Sequence, residues 1–231
     1  MAGLNIVQMH RAIRLGLQQV DANAFDGFQP EELDVYINEV INEYVKAQFS
    51  MLKKEEYTAI DEGVLENLRT LLVVQNYPVV AQDSEIIPDA KVVELPEANA
   101  SPSPVPGEPT MGYYYYIHGH IKVNGELRTT RLSSFYHLRN YLHTESNFPV
   151  LRRVPLIIKD QQIHILREMD TDELTDFVFS YIREPVLVDK AAGVSCDLPP
   201  HTHYEIVDHV IRRVTRDILQ QRIPQQEQPE A

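Results

Sequence analysis

The feature that most constrains the fold is a change in the spacing of apolar residues near Leu72. Before it, apolar residues recur every three or four positions, which is the period of a helix that buries one face. The segments with this period cover residues 4–20, about 30–49, and 54–72. After it, β-branched and aromatic residues dominate, as they do in strands. The chain is therefore predicted to be α+β, with an N-terminal helical hairpin or bundle followed by a sheet.

Turn residues and short connections predict that this sheet is mostly antiparallel. Asn124-Gly125 follows a run of aromatic and β-branched residues that starts at Tyr113, and this dipeptide tolerates the positive φ angles of a tight hairpin turn. Further predicted strands cover residues 154–158, 162–166 and 177–182, the first two as a second hairpin. The connections are too short for the crossovers that parallel strands require.

The predicted organisation has four parts. They are a helical region at 1–72, a β-rich region at 73–198, a C-terminal helix at 199–220 that packs on the helical region, and a flexible tail at 221–231. Six of the 15 prolines lie between Pro88 and Pro109, and such a composition cannot bury enough apolar surface to offset the entropy of ordering. We therefore predict a long exposed loop at 99–110.

The chain is strongly acidic. Its 231 residues include 34 Asp and Glu against 21 Lys and Arg, which gives a formal net charge of −13. Such a field repels phosphate groups, so free nucleic acid is not an expected partner. The single cysteine, Cys196, cannot form an intrachain disulfide, which fits a reducing compartment. Because we find neither a secretory leader nor a stretch of about 20 apolar residues, we expect no membrane partner.

Two groups of histidines are candidates for metal binding. His118 and His120 lie two residues apart on a predicted strand, so both imidazoles share one face, where solvated polar residues are commoner than ligands. The second group precedes or begins the last helix and consists of Cys196, His201, His203 and His209. Its spacing does not match the paired arms of structural zinc sites. For this group we expect capping and surface hydrogen bonds.

The sequence gives less support to nucleophilic catalysis and to nucleotide hydrolysis than to metal binding. Ser195, Asp197 and His201 contain the side chains of a catalytic triad, but they lie in one short loop without a strand-to-helix turn that exposes a nucleophile. The nine glycines are scattered and form no phosphate-binding loop. We therefore predict a protein that is not an enzyme and needs no cofactor.

Tyrosines and arginines suggest an interface instead. The run from Tyr113 to Tyr116 is expected to divide between the core and a face between subunits, where tyrosine is favoured. Arginines concentrate in the middle of the acidic chain, where they form either a solvated face or a basic flank that meets an acidic flank such as Asp170, Asp172, Glu173 and Asp176 on a second copy. The predicted interface residues are Tyr114, Tyr116, Arg128, Arg131, Arg152 and Arg153.

Several segments resemble the neck ring proteins of crAss-like tailed bacteriophages. The resemblance spans most of the chain and is carried by Asn5–His10 (NIVQMH), Phe28–Ile41 (FQPEELDVYINEVI), the hairpin that begins at Val154-Pro155, Cys196–Pro199 (CDLP) and His203–Asp208 (HYEIVD). These segments are patterns of polar turns and apolar helix faces and contain no catalytic motif.

The resemblance implies a virion structural protein that is made in the host cytoplasm. It would form a dodecameric head-tail connector ring that contacts itself, the portal protein and other neck or tail ring proteins. Genomic DNA would meet it only in passing through the channel. The 99–110 loop and the C-terminal tail would order against neighbouring ring components. Two alternatives stay open: a metal-dependent hydrolase that uses His118, His120, His201 and His203, and a soluble oligomeric adaptor.

Overall fold

The computed structural model describes residues 3–20, 28–54, 62–79, 82–87, 90–95, 112–134, 153–159, 162–166 and 173–222. Within these residues the chain is mixed α/β, with four α-helices and an eight-stranded sheet. It divides into a helical unit, Met1–Leu71 with Pro185–Ala231, and a sheet unit, Leu72–Glu184. The segment from Pro185 to Leu198 groups with the helices, whereas the sequence analysis assigned it to the β-rich region. The predicted 99–110 loop lies outside the described residues.

The helical unit contains the predicted N-terminal and C-terminal helices. The α-helices are α1 (Ile6–Val20), α2 (Pro30–Lys54), α3 (Glu62–Leu68) and α4 (His203–Arg222), and short 3₁₀ turns cover Arg69–Leu71 and Pro200–Thr202. Proline at the first position of α2 and the early Glu31 and Glu32 suit a helix start. Helix α4 continues to Arg222, beyond the predicted end at 220, and the rest of the predicted tail lies outside the described residues.

Helix α4 packs along both α1 and α2. The buried apolar residues are Ile6, Met9, Ile13 and Leu17 of α1, Leu33, Ile37, Val40, Ile41, Tyr44 and Val45 of α2, and Ile206, Val207, Val210 and Val214 of α4. Gly16 permits a close approach of α1 to Ile211 of α4, because an added Cβ would meet that side chain. Since each N-terminal helix has α4 as its main packing partner, the predicted N-terminal hairpin is not confirmed.

The sheet unit is mostly antiparallel, as predicted. Its strands are β1 (Leu72–Val79), β2 (Gln82–Asp83), β3 (Ala90–Glu94), β4 (Tyr113–Val123), β5 (Glu126–Leu132), β6 (Arg153–Lys159), β7 (Gln162–Leu166) and β8 (Leu174–Arg183), in the order β1-β8-β4-β5-β6-β7-β3-β2. Asn124 and Gly125, with φ angles of 51° and 84°, form the predicted β4–β5 turn. Strands β5 and β6 are parallel, which the long connection 133–152 permits.

The sheet curls around one apolar face. The hydroxyl of Tyr77 on β1 donates to the carbonyl of Glu94 on β3 at 3.1 Å, so strands near opposite ends of the sheet order meet. The enclosed face, which we call the inner cluster, buries Val93, Leu95, Ile121, Val123, Val154, Leu156, Ile163, Ile165, Leu174, Phe177, Phe179 and Tyr181. Phe177, Phe179 and Tyr181, which alternate along β8, are the buried aromatic residues of this cluster. On the opposite side of the sheet, β4 and β5 carry mostly polar and charged residues, whereas Ile157 of β6 is buried there in a second apolar cluster with Ile87, Ala90 and Leu166.

Candidate functional site

The tyrosine run on β4 does not alternate regularly between the two faces of the sheet. The register against β8 shifts between Tyr113 and Tyr115 and again between Tyr116 and His118, as it does at β-bulges. The Tyr113 hydroxyl accepts the backbone N–H of Tyr116 at 3.0 Å, inside the irregular segment. An uninterrupted strand would place Tyr114 and Tyr116 on one face, and the bulge separates them.

Tyr116 packs in the inner cluster. Its ring lies 5.7 Å from that of Phe179, and its hydroxyl donates to the carbonyl of Thr130 at 3.0 Å. Burial of the ring raises the pKa of Tyr116, so the hydroxyl stays protonated and keeps this hydrogen bond. The structure therefore gives Tyr116 the environment of a core residue, unlike the interface position that the sequence predicts.

Tyr114 and Tyr115 form a pair of half-buried rings whose centroids are 4.2 Å apart. Burial and a hydrogen bond with Tyr115 raise the pKa of Tyr114 to about 12. At neutral pH both an apolar ring and a protonated hydroxyl are therefore available at this position. Such amphipathic residues are enriched where proteins meet one another.

Two of the four predicted interface arginines share one sheet face. In the parallel β5–β6 pair, Thr129 lies beside Arg153 and Arg131 beside Pro155, so the side chains of Arg131 and Arg153 emerge on the same side as diagonal neighbours. Both are exposed. Among the described residues, neither has an ion pair.

The same face continues onto β4. His120 is opposite Thr129, and residues two apart on β4 keep to this side, which adds His118 and Lys122. We call this surface the basic face; it comprises His118, His120, Lys122, Arg131 and Arg153. Lys122 is paired with Asp176 at 2.8 Å, so its charge is partly balanced.

The other two predicted arginines do not belong to this face. Arg128 is opposite the buried Ile121 and therefore lies on the inner side of the sheet, half-buried, with Glu126 at 3.7 Å. Arg152 lies outside the described residues, as do Asp170 and Asp172 of the predicted acidic flank. The structure thus brings Arg131 and Arg153 together and separates them from Arg128.

His118 and His120 lie together, as the strand period predicts. Their ring centroids are 5.2 Å apart, with the planes at 70°. Partial burial and the nearby His120 lower the pKa of His118, so this imidazole is neutral at pH 7 and its nitrogen lone pair is available. Within the described part of the chain, no group of three or more His, Cys, Asp and Glu could hold a metal ion.

Two of the histidines near α4, His201 and His203, make hydrogen bonds within the helical unit. His203 is buried: its Nδ1 accepts the N–H of Leu4 at 3.0 Å and its Nε2 donates to the carbonyl of Leu198 at 2.9 Å. His201 donates from Nε2 to the side-chain oxygen of Asn67 at 2.8 Å. Burial raises the pKa of the Cys196 thiol to about 12, which makes it a poor nucleophile and a poor metal ligand.

The triad-like residues also bond elsewhere. Ser195 Oγ accepts the N–H of Ile6 at 3.1 Å and so satisfies a donor at the start of α1. Asp197 accepts the N–H of Val186 at 3.3 Å. Because His201 is hydrogen-bonded to Asn67, each of the three side chains has a different partner. These contacts fix the loop that precedes α4, and they form no relay from Ser195 through His201 to Asp197.

A buried histidine–aspartate pair was missed in the sequence analysis. His10 Nε2 on α1 lies 2.7 Å from Asp34 Oδ1 on α2, and His10 is only 2% exposed. The sequence did contain a signal. Both residues occupy positions next to buried members of the apolar helix faces, Met9 and Leu33. A polar residue at such a position needs a partner, which a helix prediction alone does not identify.

Comparison of the sequence with models of protein families and with curated proteins found no match. Each helix in the described residues is too short or too polar to pass through a lipid bilayer.

Proposed function

We propose that this protein is a structural subunit of a phage head-tail connector ring, which joins the portal to the tail and lines the channel through which the genome leaves. The sequence resemblance to neck ring proteins supports this proposal. Ring closure in about twelve copies, contact with the portal and other ring proteins, and a place in the virion neck all belong to the same proposal.

The observation that carries it is the basic face on an acidic chain. Arg131 and Arg153 are exposed neighbours without ion pairs among the described residues, although the whole chain has a formal net charge of −13. Identical acidic subunits repel one another unless a local patch of opposite sign meets an acidic surface of the next copy. A closed ring needs such a contact between two different surfaces of the same subunit.

The acidic charge also suits a channel for DNA. Fixed negative charge repels the phosphate backbone, so the genome would not adhere during its passage. In this proposal the basic face is covered by the neighbouring subunit and the excess of acidic groups remains toward the channel. The 99–110 loop and the C-terminal tail order against adjacent ring components.

The N-terminal helices form a hairpin in this proposal. The His10–Asp34 contact at 2.7 Å joins α1 to α2 and supports that arrangement beside the shared packing on α4. The helical unit would then act as one compact element of the ring wall.

The experiment is a mass measurement on the full chain by native mass spectrometry at rising protein concentration, alone and mixed with a candidate portal protein. Wild-type protein is expected to form a closed oligomer, which increasing salt weakens. The double variant Arg131→Glu/Arg153→Glu is expected to shift the population to monomer. The matched control, Arg11→Glu/Arg212→Glu, makes the same charge change at exposed sites of the helical unit and is expected to keep the oligomer.

A monomer at every concentration, with and without the portal, contradicts the proposal. An oligomer that both double variants leave intact contradicts the role of the basic face. Circular dichroism of each variant separates loss of assembly from loss of folding.

A metal-dependent function at His118 and His120 is a second candidate, favoured by their 5.2 Å ring separation on an exposed face. Imidazole side chains are ligands for Zn²⁺ and similar ions. Of the four histidines in the hydrolase alternative, His201 and His203 already make hydrogen bonds. Stoichiometric metal in purified protein that is lost in His118→Ala, but retained in His209→Ala, would favour this candidate over the ring.

A further inference from the structure

Helix α2 holds the chain segment that leads into α4. Asn38 makes two hydrogen bonds with the backbone of Val188: its Oδ1 accepts the N–H at 2.7 Å and its Nδ2 donates to the carbonyl at 3.0 Å. One turn earlier on α2, Asp34 Oδ2 accepts the N–H of Lys190 at 3.0 Å. Two polar side chains on one face of α2 therefore fix consecutive parts of the segment 186–194.

The other oxygen of Asp34 belongs to His10. Because Asp34 Oδ1 is an acceptor, His10 carries its proton on Nε2 and donates it across 2.7 Å. His10 Nδ1 is then a bare lone pair, buried and without a hydrogen-bond partner among the described residues. One carboxylate thus connects α1, α2 and the 186–194 segment, and its orientation depends on the imidazole that bonds to it.

Protonation of His10 would be unfavourable in this environment. It would place an N–H on the buried Nδ1, where the described residues offer no acceptor. The charged groups around the ring are Asp34 from α2, Lys190 from the segment and Arg14 from α1 itself. Burial, the largest cause, lowers the pKa of His10; Lys190 and Arg14 act in the same direction, against the opposing effect of Asp34.

We propose that His10 and Asp34 form a pH-sensitive latch, which holds the 186–194 segment on α2 while His10 is neutral and releases it when His10 takes up a proton. The inference concerns the helical unit and does not depend on the proposed ring function.

The direction of the pH effect follows from linkage. In an open state the ring is solvated and takes up a proton near its ordinary pKa of about 6.5, whereas in the closed state the pKa is lower. The open state therefore binds more protons as the pH falls below about 6.5, and closure weakens. The free energy that favours the closed state decreases until the pH reaches the lowered pKa of that state, and it is constant at still lower pH.

Amide hydrogen exchange of the full chain, resolved by residue with NMR, tests the latch. The reporters are the N–H groups of Lys190 and Val188, after correction for the intrinsic pH dependence of exchange. Wild-type protection of these amides is expected to fall by about tenfold for each unit by which the open and closed pKa values differ, between about pH 7.5 and pH 5. Protection of Val210, inside α4, reports the stability of the whole unit.

His10→Gln is the informative variant, because its amide can donate to Asp34 and does not titrate. It is expected to keep Lys190 protected and to remove most of the pH dependence. The control His209→Gln removes an exposed histidine and is expected to behave as wild type. If His10→Gln does not fold, Asp34→Ala provides the second test, since it removes the acceptor of the Lys190 N–H and should weaken Lys190 protection at neutral pH.

The latch is wrong if wild-type protection of Lys190 does not change over this pH range. It is also wrong if a folded His10→Gln keeps the full wild-type pH dependence, or if a folded Asp34→Ala leaves Lys190 protection unchanged at neutral pH.

Discussion

The two units of this protein differ in the balance of apolar and polar side chains that they bury. The inner cluster of the sheet unit consists of aliphatic and aromatic residues, including Phe177, Phe179 and Tyr181. Among the described residues, the sheet unit buries two polar side chains, Thr130 and His164, whereas the helical unit buries four, which are His10, Asp34, Thr202 and His203. Aromatic packing is therefore more prominent in the sheet, and buried polar groups are more numerous in the helical unit. We expect the two units to respond differently to substitution and to pH.

The largest expected effect is in the inner cluster. Phe179 is fully buried and packs against the rings of Tyr113, Tyr116, Phe177 and Tyr181. Phe179→Ala is expected to lower the free energy of unfolding by about 3–5 kcal/mol, through lost burial and the cavity that remains. The measurement is urea unfolding followed by tyrosine fluorescence.

Leu127→Ala is the matched control in the same sheet, because Leu127 is 66% exposed. It is expected to change stability by about 0.5 kcal/mol or less. Equal effects for the two variants would show that the inner cluster does not stabilise the sheet unit.

Two glycines lie so close to neighbouring atoms that adding a Cβ is expected to have an intermediate effect on stability. A Cβ on Gly119 would lie 2.6 Å from Thr130 Oγ1 and 2.9 Å from the carbonyl oxygen of Val178, which is backbone and cannot move freely. Gly119→Ala is therefore expected to cost about 1–3 kcal/mol in urea unfolding.

Gly16→Ala tests the same kind of contact in the helical unit. Its Cβ would meet the end of the Ile211 side chain, which can change rotamer, and alanine is the better helix former by about 1 kcal/mol. A smaller cost than that of Gly119→Ala is expected. The reverse order would show that the helices are packed more rigidly than the sheet.

An effect that comes from backbone strain alone is expected at two turns, one in each unit. Gly125 and Gly193 have φ angles of 84° and 73°, and a Cβ at either would meet open space. Alanine at each position is expected to cost about 1–2 kcal/mol, because backbone strain is the same physical cause in both. Thermal unfolding of the two variants measures it; a cost at one turn only would mean that local surroundings, not the φ angle, decide the result.

Long periodic segments could be predicted from the sequence. The helical period of residues 4–20 predicted α1, in which Ile6, Met9, Ile13 and Leu17 are buried, whereas Val20 at the helix end is 54% exposed. Asn124-Gly125 identified a hairpin because its turn chemistry is local. Period and turn residues are local properties, so one sequence is enough to recognise them.

Arrangements that depend on distant residues could not be predicted. The bulge in β4 is set by pairing with β8, and it moves Tyr116 away from the face of Tyr114. Arg213 of α4 pairs with Glu39 and Glu43 of α2, at 2.8 and 2.5 Å. The His10–Asp34 pair likewise joins two helices. Each needs the tertiary fold before its partner is known.

The most direct test of the central claim, that copies of this chain recognise one another through the basic face, is electron cryo-microscopy of the assembled oligomer. We predict a closed ring in which Arg131 and Arg153 of each subunit lie against acidic side chains of the next. A ring that leaves both arginines in solvent, or particles that contain a single chain, would contradict it.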